Sequence, residues 1–217
     1  MTSEIAKLLE QLGKGPGDGQ PVVRLVEPPT PLSVDNASAF RAASMRSVPS
    51  AFMDCTFDDI ETLSRRVKRP RAIELAERKM TTAGGLLFGH SGAGKTSLAV
   101  AVYRRFADQG CGLFVSAYAL AKARAITPLG KGEADVINRA ISAHFVVIDD
   151  LGSEVAFHNS AIQEVIYERH AAGKGTLVTT WLSSKELSDK YGDGIARRIV
   201  DRLPAVSCDA EAPSVKV

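Results

Sequence analysis

Four short runs of consecutive apolar residues recur along the chain, and each is followed by a stretch with apolar positions at helical spacing. The runs are Gly85-Leu86-Leu87-Phe88, Gly112-Leu113-Phe114-Val115-Ser116, Phe145-Val146-Val147-Ile148-Asp149-Asp150 and Thr176-Leu177-Val178-Thr179-Thr180. Their lengths suit strands, and apolar residues at successive positions predict strands buried on both faces. Between them, helices are expected over 97–103, 118–126, 133–142 and 159–172, the last bounded by Gly173. Ser183 and Glu186 form a Ser-x-x-Glu capping box opening another helix. A helix over 195–203 ends before Pro204, and Ala205-Val206-Ser207-Cys208 reads as a last strand. Strands alternating with helices imply an α/β fold with a central parallel sheet, whose ligands sit at the carboxyl ends of the strands.

Upstream the pattern weakens. Residues 3–12 predict a short amphipathic helix with Ile5, Leu8, Leu9 and Leu12 on one face, suited to docking on a partner or to a frayed tail. Residues 13–19 and 21–31 are rich in glycine and proline and read as a linker; 37–46 allows another short helix. Pro70 fits the first turn of a helix through Ile73, Leu75, Ala76 and Met80. The expected organisation is an N-terminal segment over 1–47, one domain over 48–208, and a loose tail over 209–217.

Composition adds little to this. With 217 residues, 45% hydrophobic and 24% charged, the chain is an ordinary globular protein with room for one good core. A net charge of +2 is too small to name a polyanionic partner, so local clusters must carry that argument. Cys55, Cys111 and Cys208 show no Cys-x-x-Cys spacing, which argues for a reducing compartment and against structural zinc. With no apolar span of membrane length and no signal-peptide pattern, the expected location is the cytoplasm.

The chemistry concentrates in Gly89-His90-Ser91-Gly92-Ala93-Gly94-Lys95-Thr96, followed by Ser97, between the first strand and its helix. This is the G-x-x-x-x-G-K-[ST] pattern in its strand–loop–helix context. Gly89, Gly92 and Gly94 allow positive φ, so that backbone N–H groups can close on phosphate oxygens. The helix behind aims its positive end at the same anion. Lys95 is expected to reach the β- and γ-phosphates, and the Thr96 hydroxyl to take one place on Mg²⁺.

The third strand ends in Asp149-Asp150, as such a site requires. Asp149 would hold Mg²⁺ through its water shell, and Asp150 would act on the attacking water as base or orienting group. Asp149-Asp150-Leu151-Gly152 also fits the D-x-x-G of GTPases, but the chain contains no Asn-Lys-x-Asp guanine reader, so ATP is expected. A dense basic stretch, Arg65, Arg66, Lys68, Arg69 and Arg71, offers one candidate contact for a phosphate backbone.

Together these stretches resemble the DnaC/IstB-like branch of the AAA+ ATPases, the helicase loaders and transposition helpers. The likeness rests on Val48-Pro49-x-x-Phe52, Thr56-Phe57-Asp58-Asp59, the loop 89–96, Val146–Gly152, Thr176–Thr180, and Tyr191-Gly192-Asp193 leading into Ile195-Ala196-Arg197-Arg198. It implies a three-layer P-loop NTPase sandwich with little or no C-terminal helical lid, and an ATPase working as a ring or spiral of identical subunits. It adds Arg198 as an arginine finger acting on a neighbour's ATP, with Arg202 in reserve. It also implies that the segment 118–142 lines a DNA channel, with Lys122, Arg124 and Lys131 as contacts. Trp181 stands where the family carries a sensor Asn, and Thr180 is the residue expected to substitute for it. The implied partners are DNA and a replicative helicase or, in the alternative, a transposase. A small-molecule phosphotransferase and an inactive nucleotide-binding scaffold are the remaining readings of the same loop.

Overall fold

A computed structural model describes residues 34–128, 132–154 and 159–209; the expected N-terminal helix and linker, and the tail beyond Asp209, lie outside the described residues. Five strands, β1 (Gly84–Phe88), β2 (Leu113–Ser116), β3 (Phe145–Leu151), β4 (Gly175–Thr180) and β5 (Ala205–Ser207), form one sheet in the order β2-β3-β4-β1-β5. All four pairings are parallel. The loop-bearing strand β1 therefore lies beside β4, whose other neighbour is the carboxylate-bearing strand β3.

The unbroken apolar runs resolve into period-two alternation between two layers. Leu87, Phe114, Phe145, Val147 and Leu177 point into one core, while Leu86, Leu113, Val115, Val146, Ile148 and Val178 point into the other. Over the first face lie α1 (Val34–Met45), a 3₁₀ turn at Ser50–Phe52, α2 (Ile60–Arg66), α3 (Pro70–Lys79) and α4 (Lys95–Phe106). Over the second lie α5 (Ala117–Ile126), α6 (Asp135–Ser142), α7 (Asn159–Ala171), α8 (Ser184–Tyr191) and α9 (Asp193–Val200). Helix α4 is buried continuously from Leu98 to Tyr103, because the sheet covers one side and α2 and α3 the other.

Local chemistry sets most of the helix starts. Asp59 accepts from the Thr62 amide at 3.0 Å, and Ser116 from the Ala119 amide at 3.1 Å. Pro70 takes the first turn of α3, and the Ser183–Glu186 capping box is complete in both directions. Several boundaries move: α1 begins at Val34 rather than 37, and α4 runs from Lys95 to Phe106 rather than over 97–103. Helix α6 begins at Asp135 rather than Glu133, since the Glu133 carboxylate is drawn to Arg124. Helix α9 starts at Asp193 and ends at Val200, so the chain turns before Pro204 instead of running up to it. No helix follows β5 among the described residues, and none of the described helices is long and apolar enough to cross a membrane.

Candidate nucleotide site

The glycine-rich loop leaves β1 with Gly89 at φ +145°, Gly92 at +75° and Gly94 at +92°, a sequence of angles that side chains at these positions would oppose. Gly94 is further constrained by space: a Cβ there would sit 2.4 Å from the Arg66 carbonyl and 2.6 Å from the Val67 Cα. The Gly89 amide donates to the Thr180 carbonyl at 3.2 Å, and the Ala93 amide closes the turn onto the His90 carbonyl at 3.2 Å. Lys95, at the first turn of α4, is buried, and its ammonium folds back onto the carbonyls of Gly89 at 2.7 Å and His90 at 2.8 Å. Both acceptors belong to the loop itself, so an incoming phosphate can take their place. Ser91, Gly92, Gly94, Lys95, Thr96 and Ser97 line a cleft of about 530 Å³ that Asp149 and Asp150 close from the other side.

Asp149 is buried, and its carboxylate accepts from Thr179 Oγ1 at 2.7 Å and lies 3.2 Å from Thr96 Oγ1 through both oxygens. Burial pushes its pKa above the ordinary carboxylate range despite the bonds from Thr179 and Thr96. Asp150 differs in every respect. It is exposed and adopts the left-handed conformation, φ +61°, at a register shift between β3 and β4 spanning Ile148 to Leu151. Asp tolerates this backbone better than longer side chains do, because its short carboxylate bonds locally. The Asp150 amide donates to Thr179 Oγ1 at 2.8 Å, so one threonine hydroxyl holds both aspartates.

That finding changes the role expected of Thr180. Its hydroxyl, fully buried, donates to the Leu151 carbonyl at 2.7 Å and accepts from the Leu182 amide at 3.0 Å, and it does not line the cleft. Thr179, and not Thr180, is turned toward the Asp149 carboxylate, because alternation along β4 turns adjacent side chains to opposite faces. Trp181, 41% exposed, packs against the turn at Gly152.

The structure also brings to the cleft residues for which the sequence suggested no place there. Phe52 and Arg66 line the cleft, and the Lys68 amide donates to the Ala93 carbonyl at 3.3 Å. The basic stretch considered for a nucleic-acid backbone thus runs alongside the phosphate loop. Three of its arginines are engaged: Arg65 pairs with Glu61, Arg66 with Asp54 at 2.6 Å, and Arg69 donates to the Ser207 carbonyl at 3.2 Å. Just past β5, Asp209 accepts from the His90 amide at 2.7 Å and lies 2.9 Å from His90 Nδ1. Burial alone would raise the Asp209 pKa, but these bonds and nearby Lys95 hold it below the usual value.

No protein-family model and no curated protein matches the sequence. Solved structures do match the fold. The DnaC helicase loader superposes with a TM-score of 0.58 at 20% identity, over 73% of this chain and 99% of that one. DnaI gives 0.51 at 20% identity, over 78% and 93%. The replication initiator DnaA bound to AMPPCP and single-stranded DNA gives 0.53 at 18%, over 74% of this chain and 50% of that one. The chain shares the fold of these three proteins.

Among the described residues the remaining candidates lie away from the cleft. Arg198 donates to the Gly194 carbonyl at 2.6 Å and packs its guanidinium 5.0 Å from the Tyr167 ring centre, leaving Nε buried without a partner among the described residues. Arg198 and Arg202 line a separate cavity with Ala83, Gly173 and Thr176, at the amino ends of β1 and β4. Lys122 is exposed on α5 with Tyr118 one turn before it and Ile126 one turn after. Arg124 is not free to meet a phosphate: it is held between Glu133 and Glu164, the latter at 2.5 Å. Its partial burial alone would lower its pKa, and the two carboxylates raise it instead. Lys131 lies outside the described residues.

Proposed function

We propose that this chain binds and hydrolyses ATP, assembles on DNA as a nucleotide-dependent homo-oligomer, and delivers a replicative helicase in the manner of DnaC. The observation that carries the reading is the meeting of Lys95, Thr96 and Asp149 at one cleft, with Thr179 holding the Asp149 carboxylate from behind, at the carboxyl ends of adjacent strands in an AAA+ fold. Loop amides of Gly92 to Thr96 would hold the phosphates, and Lys95 would exchange its two loop carbonyls for phosphate oxygens.

The donor set suits Mg²⁺. Thr96 and Asp149 present hard oxygen ligands 3.2 Å apart, and an ion bound by few protein groups alongside phosphates and water is the usual Mg²⁺ arrangement. The buried Asp149 would be relieved by a cation. When bound, the ion would neutralise phosphate charge. Asp150, exposed beside the cleft, would orient the attacking water and accept its proton. Arg198 is turned away from its own loop, which favours action on a neighbour's nucleotide, with Arg202, exposed and one turn on, as the alternative.

Turnover of ATP with and without single-stranded DNA tests the activity. Asp150→Asn should bind ATP normally and hydrolyse it roughly 10²-fold more slowly. Unchanged turnover would remove Asp150 from the chemistry. Co-precipitation with replicative helicases and with transposases tests the partner; capture of a transposase alone would replace the loader reading with a transposition helper.

A further inference from the structure

The turn that follows Asp150 is gripped by a buried ionic cluster that takes no part in the nucleotide cleft. Glu154 is 3% exposed, and its side chain is wholly buried. One carboxylate oxygen accepts from the Gly152 amide at 3.1 Å. The other accepts from Tyr191 Oη and pairs with Lys190 Nζ at 3.0 Å. Lys190 Nζ also donates to the carbonyls of Gly152 at 2.7 Å and Glu154 at 2.9 Å. All three of its acceptors lie within three residues of chain. The Ser153 amide closes this turn onto the Asp150 carbonyl at 3.1 Å. Burial and the adjacent Glu154 push the Tyr191 pKa up, which keeps its hydroxyl protonated and donating.

The other end of the cluster is equally fixed. Lys190 and Tyr191 are the last residues of α8, and Gly192 at φ +83° joins them directly to α9, which carries Arg197 and Arg198. Their carbonyls accept from Asn159 Nδ2 and Gln163 Nε2 of α7, each at 2.9 Å. A buried ion pair is a weak source of stability, since apolar residues of similar volume serve as well; its attested use is to specify one arrangement. Here the arrangement specified is the position of the Asp150 turn relative to the arginine helix.

We infer that Glu154, held by Lys190 and Tyr191, is a positioning residue that couples the arginine helix α9 to the water-orienting carboxylate Asp150 of the same subunit. A neighbour that shifts α9 then shifts Asp150 as well, so each site is tuned from both of its interfaces. The inference rests on the ATPase reading for its kinetic consequence, but not for its mechanical one.

The test uses the full chain with Glu154→Gln, which keeps the shape and loses the charge, and Tyr191→Phe, which removes a single hydroxyl. Binding of a fluorescent ATP analogue should stay within about threefold of wild type, because no cluster residue lines the cleft. ATP turnover at saturation should fall roughly tenfold or more in Glu154→Gln and less in Tyr191→Phe, a loss in kcat and not in KM. Hydrogen exchange should rise at residues 150–153 and 193–200 together, with 89–97 unchanged. Wild-type exchange at 150–153 in a folded Glu154→Gln or Tyr191→Phe protein would overturn the coupling. If Glu154→Gln does not fold, Tyr191→Phe decides alone, its joint rise in exchange supporting the coupling and its absence refuting it. A wild-type chain that never turns ATP over would refute the ATPase reading, and the exchange measurement would still decide the coupling.

Discussion

Two buried cations solve the same problem in opposite ways. Arg169, fully buried in α7, donates to the carbonyls of Ala140, Ala143 and Gly175 at 2.7, 2.8 and 2.5 Å, and to Thr176 Oγ1 at 3.1 Å. Burial pushes its pKa down to about 10, still far enough above neutrality to keep it charged. Lys95 is buried almost as deeply but holds only two carbonyls, both on a glycine-rich loop. Arg169 is committed: it ties the end of α6 and the loop before β3 to the start of β4 through buried acceptors. Lys95 is poised, because its acceptors belong to the glycine-rich loop and can return to water or loop amides when an anion arrives. Burial alone therefore does not identify a functional charge; what a group would leave behind if it moved does.

Replacing each cation breaks that comparison if it is false. Arg169→Met should orphan several buried acceptors, costing about 3 kcal/mol or more. For a fold of this size that lowers the melting temperature by roughly 6–12 °C. Nucleotide affinity of the protein that remains folded should be unchanged. Lys95→Ala should do the reverse, leaving the melting temperature of the free protein nearly unaltered while nucleotide affinity falls roughly 100-fold or more. Calorimetry and nucleotide titration on the two variants check it; a Lys95→Ala protein that binds ATP as wild type would end the phosphate-cradle reading.

The adjacent threonines of β4 sharpen the same contrast at smaller cost. Thr179→Val removes the hydroxyl shared by the two aspartates, and turnover should fall about tenfold with nucleotide affinity kept within threefold. Thr180→Val leaves the Leu151 carbonyl and the Leu182 amide unpaired, and should cost roughly 1–3 kcal/mol of stability with little effect on turnover per folded molecule. The opposite result, with turnover lost only in Thr180→Val, would restore Thr180 as the sensor.

The Lys95 side of the contrast was legible in the sequence and the Arg169 side was not. Lys95, Thr96 and Asp149 announce themselves because their partners are fixed by short motifs with required spacing, and the apolar runs around them can only be buried strands. Arg169 binds backbone carbonyls 6 to 29 residues away, and a carbonyl has no sequence signature. Thr179 against Thr180 is a question of which face of one strand meets the loop, and two threonines in succession conceal the answer. Arg66 read only as one member of a basic stretch suited to a phosphate backbone, because its place beside the cleft depends on how α2 packs against the phosphate loop.

Asp149 adds a pH test. Its folded pKa is raised by burial, so its contribution favours the fold below the unfolded carboxylate pKa and is lost as pH rises through the folded value. At neutral pH the ionised group therefore burdens the metal-free protein. Asp149→Asn should raise the melting temperature of that protein at pH 7, with the difference shrinking toward zero as pH falls to about 4. Melting curves without Mg²⁺ over that range check it; a difference that is flat with pH would mean that the Asp149 carboxylate titrates normally.

The smallest expected effect separates two cations on α5. Lys122 is exposed, with no hydrogen bond or ion pair among the described residues, and stands between the exposed Tyr118 and Ile126 on one face of the helix. Arg124 is spent on Glu133 and Glu164. If the proposed DNA contact uses this helix, an uncommitted ammonium can meet a phosphate without breaking anything, whereas Arg124 would first have to abandon two carboxylates. Lys122→Ala should then weaken single-strand binding at every sequence and lower the salt slope of log affinity by about one unit. Arg124→Ala should leave the slope unchanged and instead lower the melting temperature modestly, since it frees Glu133 at the entry to α6 and Glu164 on α7. Fluorescence anisotropy with a labelled oligonucleotide at several salt concentrations, in the ATP state, reads both. A slope reduced by Arg124→Ala and not by Lys122→Ala would mean that the carboxylate pair releases its arginine on DNA, and that commitment in the free chain does not predict commitment in the assembly.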